Sequence, residues 1–331
     1  MDTTPTESGG GLLARPLSPD DVPAWLDLRQ AVERVDRTGH HVDADDLAEA
    51  LADPKLDLRQ DSLTLWDGPG MVAYALLHTP DGAVDAARFG GEGAVHPDWR
   101  RRGIGDRLVA WMAPRARTLH SERFASLPGE LMITGKSDDK DLIALTEKQG
   151  FAPARWWFEM THPLQRDRPS PGRVPEGLRL VALEPEYDEA TRLAHNDAFR
   201  DHWNFCEMDE ADWRTEVSGA RSLRRPMSRL LLDGDIVAAY LIAEEYEADT
   251  AADGTRDCHI GYLATRRSHR GIGAAPALMA ATLEAALADG YDTASLTVDT
   301  ANPSGALGLY ERLGFTTDSE FVTYARPITD A

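Results

Sequence analysis

Cysteine is nearly missing from this chain of 331 residues: Cys206 and Cys258 are the only two. They form no Cys-x-x-Cys pair and no Cys/His ligand spacing, so a disulfide framework and a zinc site are both excluded and no metal is expected. Two unpaired thiols suit a reducing compartment, and a cytoplasmic location is expected. Long apolar runs are missing too. No stretch approaches the roughly 18 residues that span a bilayer, so no membrane partner is expected. Residues 1–10 are polar and acidic and lack the basic and apolar regions of a secretory leader. Basic charge is scarce: 35 Lys and Arg face 56 Asp and Glu, a net charge of -21. Such a surface repels phosphate backbones, which argues against nucleic acid as a partner and suits a cationic small molecule.

What the chain does have is an internal repeat. Val95-His-Pro-Asp-Trp-Arg-Arg-Arg-Gly-Ile-Gly105 and Ala264-Thr-Arg-Arg-Ser-His-Arg-Gly-Ile-Gly-Ala-Ala275 read alike, and an apolar stretch with helical spacing follows each. Farther on stand Glu147-Lys-Gln-Gly-Phe151 and Glu311-Arg-Leu-Gly-Phe315. Upstream, residues 13–36 resemble 178–201. Residues 161–177 hold four prolines and several charges and read as a linker. Two domains follow, over 11–165 and 176–331, and residues 81–93 and 247–256 read as loops.

The second half reads as strands at 178–183, 229–232, 236–244, 258–264, 294–298 and 321–326. Helices fit 188–200, 210–218, 273–288 and 304–313. The pair Asp233-Gly234 marks a hairpin turn. Helices packed on a mixed sheet make each half an α/β (α+β) domain.

The segment with most chemical content is the strand-to-helix turn Arg270-Gly271-Ile272-Gly273-Ala274-Ala275. A pyrophosphate needs backbone N–H donors converging on its oxygens, and the first turn of a helix supplies them. Glycines 271 and 273 and the small alanines leave room for that approach. The helix dipole adds on the order of 1 kcal/mol per partly buried charge. Arg270 can add charge-assisted bonds. No Gly-x-Gly-x-x-Gly opens either half, so a dinucleotide site is not indicated.

Arg-x-x-Gly-x-Ala at 270, 273 and 275, and Arg-x-x-Gly-x-Gly at 100, 103 and 105, resemble the pyrophosphate loop of GCN5-related N-acetyltransferases (GNATs). The run Asn302…Ala306…Tyr310…Gly314-Phe315 resembles a second GNAT segment. The tandem arrangement is similar to that of mycothiol synthase, and the resemblance covers most of the chain. It implies acetyl-CoA as co-substrate and central strands that splay to admit the pantetheine arm. The backbone around Leu263 and Thr265 would line that arm and Asn302 would orient it. Arg270 to Ala275 would hold the diphosphate.

Tyr310 would face the thioester sulfur, and a phenol is a reasonable proton donor to a departing thiolate. An alkylamine is largely ammonium at neutral pH, so a base is needed as well. Mycothiol synthase carries a glutamate there, where this chain has His259; Glu244 and Glu245 compete with it. The polar and aromatic run 201–207, with Asp201, Trp203 and Glu207, would hold an amine. In the first half, the loop of Val95, Arg100, Arg101, Arg102, Gly103, Ile104 and Gly105 is intact and could bind CoA. Thr146 and Asp138 stand there in place of Tyr310 and Asn302, so that half is expected to be catalytically degenerate.

The leading expectation is acetylation of a primary amine on a small molecule, by direct attack in a ternary complex. Acetylation of protein termini or lysines, or non-catalytic acyl-CoA binding, are the alternatives. The oligomeric state is not legible.

Overall fold

Residues 237–243 are all wholly buried, which a strand allows only when both faces of its sheet are covered. That strand is the centre of one of two units, residues 156–321; the other comprises 1–155 with 322–331. The computed structural model describes residues 6–8, 11–80, 82–164, 172–302 and 305–329.

The first unit runs β1 (Thr6–Ser8), β2 (Leu12–Arg15), α1 (Val22–Asp36), α2 (Ala44–Leu51), α3 (Leu58–Asp61), β3 (Ser62–Asp67), β4 (Gly70–His78), β5 (Ala87–Val95), α4 (Ile104–Arg123), β6 (Gly129–Lys136) and α5 (Lys140–Lys148). Its strands lie in the order β1-β2-β3-β4-β5-β6, antiparallel except for the parallel pair β5–β6.

The second unit runs β7 (Ala152–Pro163), β8 (Arg179–Ala182), α6 (Asp188–Ala198), α7 (Glu210–Trp213), β9 (Arg229–Asp233), β10 (Ile236–Glu244), α8 (Glu247–Asp253), β11 (Asp257–Thr265), α9 (Ala274–Ala288), β12 (Thr293–Asp299), α10 (Ala306–Arg312) and β13 (Thr316–Pro327). The first four residues of β7 and the last six of β13 count with the first unit. The order is β8-β9-β10-β11-β12-β7, again antiparallel except for the parallel pair β11–β12. Each unit is therefore the mixed, mostly antiparallel sheet flanked by helices that the repeat led us to expect.

Side-chain alternation builds two cores per unit. Ala239, Leu241 and Ala243 of β10 pack beneath α9 with Leu278, Met279 and Leu283. Tyr240 and Ile242 point the other way, toward Ala194 of α6 and Trp213 of α7. In the first unit Ala73, Ala75 and Leu77 of β4 meet Leu108 and Met112 of α4, and Tyr74 and Leu76 meet Trp25 and Leu28 of α1. Each sheet is a filling between helical layers, as period-two alternation on a doubly covered strand requires.

The hairpin at Asp233-Gly234 forms as expected: Gly234 takes φ +57 and Asp233 pairs with Ile236. Five expectations depart from the structure. Residues 247–253 form helix α8, not a loop, closed by Gly254 at φ +72. Residues 87–93 belong to strand β5, not to a loop. Its glycines hid it, and they are there for lack of space: a Cβ on Gly91 would lie 2.8 Å from Met112 Sδ, and one on Gly93 2.7 Å from the Tyr74 carbonyl. The helix expected over 210–218 is α-helical only to Trp213 and continues as a π turn through Ser218. The linker read over 161–177 starts inside β7, whose residues 157–163 pair with β12; residues 165–171 and 303–304 lie outside the described residues. The last strand starts at Thr316 rather than 321.

Neither Cys206 nor Cys258 is in a disulfide, and burial pushes the Cys258 thiol up to about 12. Among the described residues no helix is long and apolar enough to cross a membrane, and no His/Cys/Asp/Glu cluster could hold a metal.

One buried group sets a pH dependence. His195 of α6 is 4% exposed, and its Nδ1 lies 2.6 Å from the Tyr240 hydroxyl. Phe199 and Tyr262 close round its ring. Burial, with a smaller push from His202, lowers its pKa to about 4. The unfolded chain would bind a proton there from about pH 6.5 downward, and the folded chain would not. Stability is thus complete above that pH and declines on acidification. Between pH 7 and pH 4.5 this ring should remove about 2 to 3 kcal/mol. In denaturant melts, His195→Gln should lose that much less over the same interval; equal slopes would show that the ring does not titrate as described.

Candidate active site

Helix α9 begins without a side-chain cap. Gly273 occupies the capping position at φ +88 and offers no acceptor, so the first amides of α9 have no side chain to satisfy them. Gly271 is also left-handed, at φ +78, and a Cβ on either glycine would meet nothing within 4 Å. Space is therefore not what requires glycine here; conformation is. The turn is open, with Ile272 46% exposed. Ala274 is buried and Ala275 is half-buried, so neither blocks the helix end. No acidic residue stands in the first turn of α9.

Four basic side chains approach this turn, and three are held from behind. Arg270 donates to the Ala198 carbonyl at 2.8 Å and Arg266 to the Val237 carbonyl at 2.8 Å. His269 meets Asp233 at 3.2 Å. Arg267 pairs with Asp201, which also lies 3.6 Å from Arg270. Hydrogen bonding from Arg267 lowers the Asp201 pKa. Asp201 therefore braces the loop. Trp203 packs against Trp157 with ring centroids 6.1 Å apart, and Glu207 is exposed.

Beside this helix end the central strands part. β11 and β12 pair only from Asp257–Ile260 to Thr293–Leu296. Beyond that, Tyr262 to Thr265 stay paired with β10, and Thr297 to Asp299 stay with β7. A wedge opens between them, and its β11 wall is the backbone around Leu263 and Thr265. Unpaired strand edges of this kind accept an extended chain that carries amides. Where the wedge begins, the β10–β11 register slips by one residue, leaving Gly261 as a bulge. A Cβ on Gly261 would lie 2.7 Å from the Glu244 carboxylate. With glycine here, the Glu244 carboxylate can lie over the bulge.

His259 sits at this same point, opposite Glu244 on β10 and Ser295 on β12. Its Nδ1 lies 2.9 Å from Ser295 Oγ. The Tyr246 ring meets the imidazole at 5.8 Å, and the Tyr246 hydroxyl donates to Glu244 Oε2 at 2.8 Å. Sequence reasoning missed Asp257, Gly261, Tyr246 and Ser295. The period-two polar pattern Thr293-x-Ser295-x-Thr297 on an otherwise apolar strand was the available signal.

Glu245 goes elsewhere. Alternation sends it to the opposite face from Glu244, where it is 8% exposed. It accepts from Arg224 Nε at 2.8 Å, Arg256 Nε at 2.8 Å and the Tyr291 hydroxyl at 2.6 Å. Burial resists its ionisation, but the bonds from Arg256, Tyr291 and Arg224 outweigh that and hold its pKa at about 2. A carboxylate held so low is a poor proton acceptor.

Tyr310 on α10 shares one apolar cluster with Leu296 and Val298 of β12 and Ala274 and Leu278 of α9. The residue is 8% exposed, and its hydroxyl has no hydrogen-bond partner among the described residues. Burial raises its pKa to about 12, so it keeps its proton at neutral pH. Asn302 lies in the turn after β12, its N–H donating to the Asp299 carbonyl at 3.1 Å.

The first unit has the same wedge, since β5 and β6 pair only from 87–91 to 129–133. Its details differ. The β4–β5 register runs through without a slip. Gly103 caps α4 at φ +75, but Asp106 stands in the first turn, held by Lys148 and Gln149 at 2.8 Å each. Arg100 makes a bidentate pair with Asp36 at 2.6 and 2.7 Å. Arg101 pairs with Asp141, and Arg102 stacks on Trp99 at 4.6 Å. Ile104 is buried, and a Cβ on Gly105 would press on Leu145 at 3.2 Å. Val95 ends β5 opposite Ala73. The Thr146 hydroxyl turns back to the Leu142 carbonyl at 2.9 Å, and Asp138 is exposed. An acid stands in the first turn of α4, and Thr146 holds the place that Tyr310 has in the second unit.

Comparison with known proteins agrees with this geometry. A mycothiol acetyltransferase of Salinispora arenicola is 33% identical over 273 residues, covering 80% of this chain and 81% of the relative. One of Thermomonospora curvata is 32% identical over 270 residues, covering 80% and 82%. In fold, the chain matches a GCN5-related N-acetyltransferase from Sphaerobacter thermophilus with TM-score 0.74 at 23% identity, covering 97% of this chain and 96% of that one. It matches a tandem GNAT protein from the clavulanic acid biosynthesis pathway with TM-score 0.73 at 21% identity, covering 97% and 99%. Residues 25–151 and 189–315 each match the acetyltransferase (GNAT) family, and the chain therefore belongs to that family, as an acyltransferase carrying two GNAT domains in tandem.

Proposed function

We propose that this enzyme moves an acetyl group from acetyl-CoA to a primary amine of a small molecule, and that the second unit does the chemistry. One observation carries the reading. An uncapped helix end with two left-handed glycines opens beside parted strands, and Tyr310 belongs to the same apolar cluster as Ala274 at that helix end. The amides at the start of α9 would hold the diphosphate, the edge of β11 at Leu263 and Thr265 would hold the pantetheine arm, and Asn302 would orient it. The name carried by the relatives makes mycothiol acetylation the first reaction to test.

His259 takes the proton that the ammonium must lose before its nitrogen can attack. A neutral imidazole does this near pH 7 without rearrangement. Glu244, beside it, favours the approach of a cation, as does the net charge of -21. The nitrogen then bonds to the acetyl carbon directly. As the carbon–sulfur bond breaks, Tyr310 gives its proton to the sulfur, and the second proton that the nitrogen sheds in becoming an amide returns through solvent to the tyrosinate. No cysteine nucleophile is called for, and Cys258, buried with a raised pKa, is unsuited to be one. In the first unit, Asp106 in the first turn of α4 and Thr146 in the place of Tyr310 point to a supporting role.

The test is release of CoA thiol from acetyl-CoA in the presence of a panel of amines that includes the unacetylated mycothiol precursor. Gly273→Val should lower kcat/KM for acetyl-CoA about ten-fold or more, through strain and a blocked helix end. Gly103→Val, the same change in the first unit, should leave it within about two-fold. The reverse ranking would move the chemistry to the first unit.

A further inference from the structure

The last paired residues before the strands part form a chain of polar groups: Asp257 and His259 on β11, Ser295 and Thr293 on β12. Cys258 and Ile260, between and beyond, point into the core beneath α9, so the polar residues share the opposite face. Ser295 Oγ makes a short hydrogen bond to Asp257 Oδ2, and Thr293 Oγ1 donates to Asp257 Oδ1 at 2.5 Å. A serine hydroxyl has one proton. With that proton given to the carboxylate, Ser295 Oγ can only accept from the group on its other side, His259 Nδ1, 2.9 Å away. Nδ1 must then carry hydrogen. The opposite arrangement, with Ser295 donating to the ring, would leave a hydroxyl lone pair facing a carboxylate.

We infer that Ser295 and Asp257 are positioning residues that fix His259 as the Nδ1–H tautomer and leave Nε2 free to accept the substrate's proton. The inference rests on the reading of His259 as the base. It adds the direction in which the base faces and a source of support for its charged form. When Nε2 takes a proton, the positive ring is steadied through Ser295 by the charge of Asp257. Other groups face the imidazole: Glu244, its register partner on β10, and Tyr246, whose ring lies against it. Removing Ser295 breaks the link to Asp257 but leaves Glu244 beside the ring.

Three variants and one spectrum separate the possibilities. Removing the Ser295 hydroxyl lowers the ring's proton affinity. Ser295→Ala should therefore lower kcat about ten-fold and move the acidic limb of the kcat–pH profile to lower pH, with KM for acetyl-CoA unchanged. Ser295→Thr, which restores a hydroxyl, should recover both. His259→Gln should lose the limb and at least about 100-fold in kcat. In the unmodified enzyme, nitrogen-15 ring correlations should place the His259 hydrogen on Nδ1, the signal being identified by its loss in His259→Gln. A hydrogen on Nε2, or a Ser295→Ala profile identical to the parent while His259→Gln loses its limb, overturns the relay and leaves the base in place. Full activity in His259→Gln overturns the base itself.

Discussion

Replacing Tyr310 by phenylalanine should cut kcat at least about 100-fold while leaving acetyl-CoA affinity within about two-fold. The separation follows from where the two halves of the side chain lie. The ring belongs to the apolar cluster that includes Leu296, Val298 and Ala274 and lies 6.0 Å from the Phe315 ring, and phenylalanine keeps all of that. The hydroxyl has no partner among the described residues, so removing it breaks no bond of the fold and should leave thermal stability essentially unchanged. What is lost is the proton for the departing sulfur. Because burial raises the phenol to about 12, that proton is in place throughout the physiological range, and the deficit should be flat between pH 6 and pH 9. Thiol release gives kcat, and calorimetric titration with CoA gives affinity. Unchanged turnover in Tyr310→Phe would remove this residue from the mechanism.

The parts of this site that sequence revealed are those fixed by local backbone demands. Glycines 271 and 273 are legible because a left-handed turn before a helix needs them within a few residues. Tyr310 is legible through its fixed distance from Gly314, which takes φ +88 at the end of the same short helix. What sequence concealed depends on partners far along the chain. The Gly261 bulge exists only in relation to β10. Ser295 meets His259 across 36 positions, and nothing near either residue announces the other. Asp201 pairs with Arg267 from 66 positions away, a partner nothing near it announces. The first unit shows the same limit, since glycines that hid β5 are explained only by Met112 and Tyr74. Residues 322–331 count with the first unit, although they end the second copy of the repeat, because Val322 and Tyr324 pack with Leu131 and Phe151.

Glu245 is the sharpest case, because adjacency to Glu244 made it a candidate base and strand alternation made it something else. It neutralises Arg224 and Arg256 at the far face of β10, and the Arg256 guanidinium in turn lies 3.9 Å over the Tyr291 ring. Removing one member of a buried ion pair costs about 3 to 5 kcal/mol. The two arginine side chains are 21% and 34% exposed, and water reaching them reduces that figure. Glu245→Gln should therefore cost about 2 to 3 kcal/mol in denaturant melts at pH 7. The pH dependence has a definite sign. The folded pKa, about 2, lies below the unfolded value of 4.5, so the stabilisation is complete above pH 4.5 and is lost as pH falls toward 2. The gap between parent and variant should narrow over that window, where His195 has already completed most of its own titration. At pH 7 and 25 °C, folded Glu245→Gln should turn over within about two-fold of the parent with the same acidic limb, because no proton in the reaction passes through this carboxylate. A variant that kept its stability but lost that limb would return Glu245 to the list of bases and displace His259.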